Sequence, residues 1–302
     1  MSERATARWS AARLAGPVPA VFCCMTTRIP YPSDLTDAQW DRLAPLLPPP
    51  CSTGHPRTHA LREVLNALLY MARTGCQWRA LPHDFPPWSV VRYYFDQWTV
   101  NGTLLRIHTA LRAQVRVAAG RDAQPSAGIV DSQSVKTAQQ PGVRGYDGGK
   151  KVTGRKRHLL VDTQGWLLAI LVTAANISDP AGAQQLFGRA QPHYPRLKHL
   201  WADSTYRGPL VEWALSVCGW VVEIVSHLVP VHTFVVQPWR WIVERTFGWW
   251  ANARRLSKDY EEHPAASESW ILLTMCHLML QRLAPAAKKR RARRPRDCDN
   301  LS

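Results

Sequence analysis

Cysteine is sparse and unpatterned: seven occur among 302 residues, with no C-x-x-C and an adjacent pair at Cys23-Cys24. That spacing supports neither a zinc knuckle nor a disulfide framework and points to a reducing compartment. No apolar run reaches the roughly 20 residues that a membrane span needs, so no membrane partner is expected and the cytoplasm is the expected location. Leu14 to Cys24 is mildly apolar behind Arg13, yet two prolines and the lack of a clean cleavage site argue against a signal peptide. Met25 stands just before the first patterned sequence, which marks the residues ahead of it as an extension to the fold. H-E-x-x-H, P-loop, nucleophile-elbow and dinucleotide fingerprints are all missing, and the eleven histidines are dispersed.

Acidic residues are the scarce charge, 22 against 38 basic ones, for a net charge of +16. The tail 286–302 holds seven basic and two acidic residues, so +11 remains without it. A positive field spread along the chain favours polyanions, nucleic acid before membrane, although basicity alone is shared by many unrelated proteins. With 46% apolar residues the chain has enough material for a sizeable core.

Three patterned blocks follow the first 30 residues. From 31 to 120 the periodicity is helical. Thr36 is placed to cap a helix Asp37–Leu47, and Thr58 one that carries Leu61, Val64, Leu65, Leu68, Leu69 and Met71 as far as Gly75. Helices over Trp88–Val100 and Thr103–Ala118 come next, separated by Asn101-Gly102. Short helices with tight turns suit a helix-turn-helix reader, with Arg92 opposite the apolar face of its helix, and suit a plain packing domain equally well. The second block has strand periods. Gly128–Asp131 is a short strand, His158–Val161 and Trp166–Val172 form a hairpin, and Asp179 caps a helix to Ala190. Leu200–Asp203, a helix Pro209–Cys218 and Val221–Val225 complete it. The third block is helical over Trp239–Leu256 and Ser267–Leu283, before the basic tail from residue 286.

Asp131 and Asp203 each end an apolar run, where a carboxylate must be solvated, hydrogen-bonded or metal-bound. Each is also placed to cap the turn that follows it. Glu244 lies mid-helix beside an apolar stripe, on a face with Arg240, Gly248, Ala251 and Arg255; an Arg240–Glu244 surface pair explains it equally simply. Together, two strand-end aspartates and a helical glutamate can make an oxygen-only site for hard divalent cations. The run Lys150-Lys151 to Arg155-Lys156-Arg157 enters a strand, where Arg155 and Arg157 share one face and Lys156 takes the other; these cations are candidates for phosphate. Trp78 and Trp249 are the tryptophans most available for stacking on a base.

Six ordered stretches, Tyr31–Trp40, Gly75–Pro82, Val130–Lys136, Gly154–His158, Ala202–Gly208 and Arg240–Phe247, resemble the DDE transposases of bacterial insertion sequences, in the insertion-sequence-five-like branch. The resemblance spans about 31–285. It implies an α/β (α+β) fold: a ribonuclease-H-like catalytic domain over 125–285, preceded by an all-helical, helix-turn-helix-like DNA-binding domain over 31–120. It implies Asp131, Asp203 and Glu244 as catalytic and metal-binding acids, with two Mg²⁺ ions for which Mn²⁺ substitutes. DNA contacts are expected from Arg92, Lys150, Lys151, Arg155, Lys156, Arg157, Arg240 and Arg255. The partners implied are terminal inverted repeats, target DNA and a second copy of the chain on the DNA ends, in a bacterial, nucleoid-associated setting. Relatives carry Tyr and Lys around the glutamate where this chain has Gln237 and Ala251, and Arg255, one turn on, is placed to take over a phosphate contact. The stretch 227–237 departs from the pattern, which keeps a DNA-binding remnant without cleavage as the alternative; a nuclease acting on RNA or hybrids is the third reading.

Overall fold

The computed structural model describes residues 28–49, 57–139, 141–225 and 239–285. The expectations for 1–24, 227–237 and the basic tail lie outside the described residues.

Helix α1 (Asp37–Leu43) begins with a capping box between Thr36 and Gln39. It tightens into a 3₁₀ turn over Ala44–Leu46, because Pro45 withdraws a backbone donor from the expected longer helix. In α2 (Leu61–Thr74) the cap position is Ala60, with no side-chain bond, so Thr58 does not cap; Gly75 ends the helix at φ 73°. The helices α3 (Trp88–Val100) and α4 (Thr103–Ala118) have the expected bounds.

The sheet is built from β1 (Ala127–Lys136), β2 (Gly145–Asp147), β3 (Val152–Asp162), β4 (Leu167–Ala174), β5 (His199–Ala202) and β6 (Val221–Ile224). Its order is β2-β3-β1-β5-β6, with β4 on β3 beside β2. β1 pairs antiparallel with β3 and parallel with β5, which pairs parallel with β6. Asp131 therefore stands mid-strand, not at a strand end. The apolar run stops there, but pairing with β3 continues to Lys136↔Gly154, since the polar residues beyond Asp131 find polar partners across the sheet.

Helix α5 (Asp179–Ala190) is capped by Ser178, which leaves Asp179 in the first turn instead of at the cap. After β5 come α6 (Pro209–Trp213), which runs into a π-helical turn over Ala214–Cys218, and then β6. The expected helix Trp239–Leu256 divides into α7 (Arg240–Ala251) and a 3₁₀ turn Arg254–Leu256, broken where Ala253 is extended. The last helix, α8 (Pro264–Leu283), starts three residues early, with Pro264 at its first position.

Both faces of the sheet are covered, so alternation along each strand sends neighbours into different cores. Ile129, Leu159 and Val161 join the residues of α2–α4, α7 and α8, whereas Val130, Leu160 and Leu200 join α5 and α6. The helical N-terminal region thus packs on a mixed sheet with helices on both sides, an α/β arrangement consistent with a ribonuclease-H-like fold.

Candidate active site

Register brings the two aspartates together. Ile129 is paired with Trp201 across the parallel β1–β5 ladder. Two residues further along each chain, on the same face, stand Asp131 and Asp203. Both line a cleft with Ile129, Trp201, Trp239, Arg240 and Val243, between the sheet and the start of α7. Asp131 Oδ1 accepts the Ser132 amide at 2.7 Å. Burial pushes its carboxyl up to about 6, the charge of Asp203 adds to this, and the Ser132 amide, Lys150 and Arg240 oppose it. Asp203 does cap its turn, accepting the Thr205 amide (2.8 Å) and hydroxyl through Oδ1. Capping and cleft-lining are therefore compatible.

Glu244 is not brought to the pair. Ile242, Val243, Thr246 and Trp250 form the buried face of α7, and Glu244 is 61% exposed, 3.2 Å from Arg240 Nε. Among the described residues no three His, Cys, Asp or Glu side chains converge closely enough to hold a metal ion. The oxygen-only donors of the Asp131–Asp203 pair fit a hard divalent cation, and Glu244 pairs with Arg240, which itself lines the cleft.

The cations divide sharply. Lys150 is exposed on the β2–β3 turn, where Asp147 Oδ1 accepts the amides of Gly149 and Lys150; its Nζ donates to Ser132 O at 3.3 Å, beside Asp131. Lys151 is exposed on the same turn, at φ 53°. Arg240 lines the cleft. The assignment of phosphate contacts to Arg155, Lys156, Arg157 and Arg255 is corrected. Arg155 and Arg157 do share a face, but α8 and the chain before it cover that face. Arg155 bonds Asp259 and the carbonyls of Val143, Glu261 and Glu262, and Arg157 bonds Leu256 O. Lys156 faces the other core, between Asp179 and Asp147. Arg255 pairs with Glu261, donates to Cys76 O and lies over Trp270. Arg92 is partly exposed, held by Asp96 above the Trp78 ring. Trp78 packs against Phe95 and Trp270, and Trp249 stacks on Trp166, so both are occupied. What sequence reasoning missed is the polar cluster of Ser132, Asp147, Asp179 and Tyr206 behind the aspartates. Its one signal was Tyr206, three residues after Asp203.

Residues 122–279, just over half of the chain, match the family described as "Transposase DDE domain". Residues 35–108 match "Putative transposase of IS4/5 family". The chain is 32% identical over 108 residues to the "Insertion element IS402 uncharacterized 16.2 kDa protein" of Burkholderia cepacia, covering 34% of this chain and 72% of that one. It is 27% identical over 130 residues to the "Putative transposase for insertion sequence element IS402" of the same organism, covering 41% of this chain and 61% of that protein. An uncharacterized protein of Sinorhizobium fredii is 31% identical over 118 residues, 38% of this chain and 87% of its own length. Among the described residues no helix is long and apolar enough to cross a membrane.

Proposed function

Because the chain belongs to the DDE transposases of the IS4/5 family, enzymes that act on DNA with divalent metal, we propose that it binds the terminal inverted repeats of its element, cuts at each end and joins the 3′-hydroxyl to target DNA. The observation that carries this reading is the register-placed pair Asp131 and Asp203, which line one cleft together with Arg240. Asp131, Asp203 and Glu244 are the residues that would hold two Mg²⁺ ions, with Mn²⁺ as a substitute. When bound, such ions make the attacking oxygen a better nucleophile and stabilise the leaving one. Arg240 and Lys150 flank the carboxylates and orient a DNA phosphate over them. The exposed Arg240–Glu244 pair is worth a few tenths of a kcal/mol, so little opposes exchanging it for a metal ligand and a phosphate. The helical block 31–120 supplies end recognition, with Arg92 on its outer face, and a dimer brings two ends together.

One observation favours a second reading, a DNA-binding remnant without cleavage: Glu244 is held by Arg240 on the exposed face of α7 and does not converge with the two aspartates. The test is to incubate the purified chain with Mg²⁺ and DNA carrying the flanking inverted repeats. Cuts at the ends are expected. Asp131→Asn, Asp203→Asn and Glu244→Gln each remove an anionic ligand and are expected to lower the cleavage rate at least about a hundredfold while sparing end binding. Specific binding without cutting by the wild type establishes the remnant. A variant that cuts at the wild-type rate removes its residue from the site.

A further inference from the structure

On the opposite face of the sheet from the two aspartates lies a buried polar chain that the cleavage chemistry does not use. Ser132 and Ser134 stand across from His158 and Lys156 in the β1–β3 register, all on the α5 side. Ser132 Oγ donates to Asp179 Oδ1 at 2.7 Å, and Lys156 Nζ donates to the same oxygen at 2.9 Å. Lys156 Nζ also lies 3.5 Å from Asp147 Oδ2, which accepts Ser134 Oγ at 2.5 Å. Lys156 thus neutralises two acids next to the site, so neither Asp147 nor Asp179 is free to draw a cation away from Asp131.

Tyr206 completes this arrangement. It closes the short turn that Asp203 caps, and its ring is 1% exposed in the apolar layer under α5. Its hydroxyl is buried among Asp131, Asp179, Asp203 and Ser132, yet makes no hydrogen bond of full geometry. A buried phenol carries one proton, which needs an acceptor close by because water does not reach it. Ser132 Oγ spends its one proton on Asp179 and keeps a lone pair to accept.

We propose that Tyr206 is a positioning residue: its hydroxyl donates to Ser132 Oγ, and the chain Tyr206–Ser132–Asp179–Lys156 ties the turn after Asp203 to the strand that carries Asp131. That tie fixes the spacing of the two carboxylates for a divalent cation. It rests on the metal-site reading of Asp131 and Asp203. Groups behind metal ligands set ligand orientation, and losing one lowers metal affinity by about 10- to 100-fold.

The test uses the full chain without DNA, titrated with Mn²⁺ and read by the electron paramagnetic resonance of the free ion. Tyr206→Phe is expected to keep the wild-type melting temperature and end binding while weakening Mn²⁺ affinity about tenfold. Cleavage falls with it and recovers as Mn²⁺ is raised. Ser132→Ala is expected to do the same, and the double variant to be no worse than either single one, because all three break one chain. Should Tyr206→Phe fail to fold, Ser132→Ala carries the same comparison. Wild-type Mn²⁺ affinity in Tyr206→Phe and Ser132→Ala, alongside its loss in Asp131→Asn, overturns the tie and leaves the metal site standing. Wild-type affinity in Asp131→Asn as well overturns both.

Discussion

At the residue scale, a cation's sequence neighbourhood says little about whether it meets DNA or protein. Arg155 sits in a strongly basic stretch, yet it is 1% exposed and satisfied by Asp259 and three carbonyls. Arg155→Ala strands Asp259 in the core, so it is expected to cost about 3–5 kcal/mol of stability, measured by denaturant unfolding. A variant as stable as the wild type would return Arg155 to the DNA-facing set. Lys150 and Lys151, a few residues away, are exposed on their turn. Replacing both with Ala should leave stability unchanged and weaken DNA binding. The slope of log affinity against log salt should fall by about one for each phosphate that the variant no longer neutralises. An unchanged slope would place the DNA elsewhere.

Elements position these residues through tight approaches and buried polar groups. A Cβ on Gly154 would meet Val135 O at 2.0 Å, where β3 pairs with the far end of β1. Gly154→Ala is therefore expected to unpair this end of the ladder and to lower the melting temperature by several degrees; a variant melting with the wild type would show the strands can separate without cost. In α4, His108 is fully buried with neither ring nitrogen bonded, and burial, followed by the charge of Arg112, lowers its pKa to about 3. Its unfolded pKa is about 6.5, so the unfolded chain takes up the proton first as pH falls. Stability is intact above about 6.5 and is lost toward 3, with a slope approaching about 1.4 kcal/mol per pH unit from this group. His108→Leu should flatten that part of the stability profile, and an unaltered profile would show that His108 titrates normally.

The whole molecule joins its helical and sheet portions through one apolar cluster. Phe95 of α3 stacks on Trp270 of α8 at 4.5 Å, and Ile107, Leu111 and Val115 of α4 share a core with Ile129, Leu159 and Val161 of the sheet. A fragment beginning at residue 120 exposes that surface and is expected to aggregate, whereas co-expression with 31–119 should recover it in soluble form. A soluble, cooperatively unfolding 120–285 would show two independently stable units. The tail beyond Pro285 adds charge, seven basic and two acidic residues. Its removal is expected to weaken DNA binding mainly at low salt and to leave the cleavage step unchanged, checked by single-turnover cutting at saturating DNA.

By itself the sequence determined the order of the helices and of every strand but β2, the bounds of α3 and α4 and the cap at Thr36, because these depend on local spacing and side-chain chemistry. It also placed Arg155 and Arg157 on one strand face and Lys156 on the other, since alternation is a backbone property. Only the tertiary structure decided what covers those faces, and so turned three expected phosphate ligands into core ion pairs and hydrogen bonds. The same holds for Arg255, whose partners Glu261 and Cys76 come from the following loop and from just beyond the end of α2. Asp131 and Asp203 were legible singly, but their meeting depends on a parallel register between strands far apart in sequence, which no local pattern encodes. Tyr206 and Asp179 were read as ordinary motif and cap residues. Their place behind the site follows from α5 and β5 closing over the same sheet face, a long-range packing that fixes which buried charges must neutralise one another.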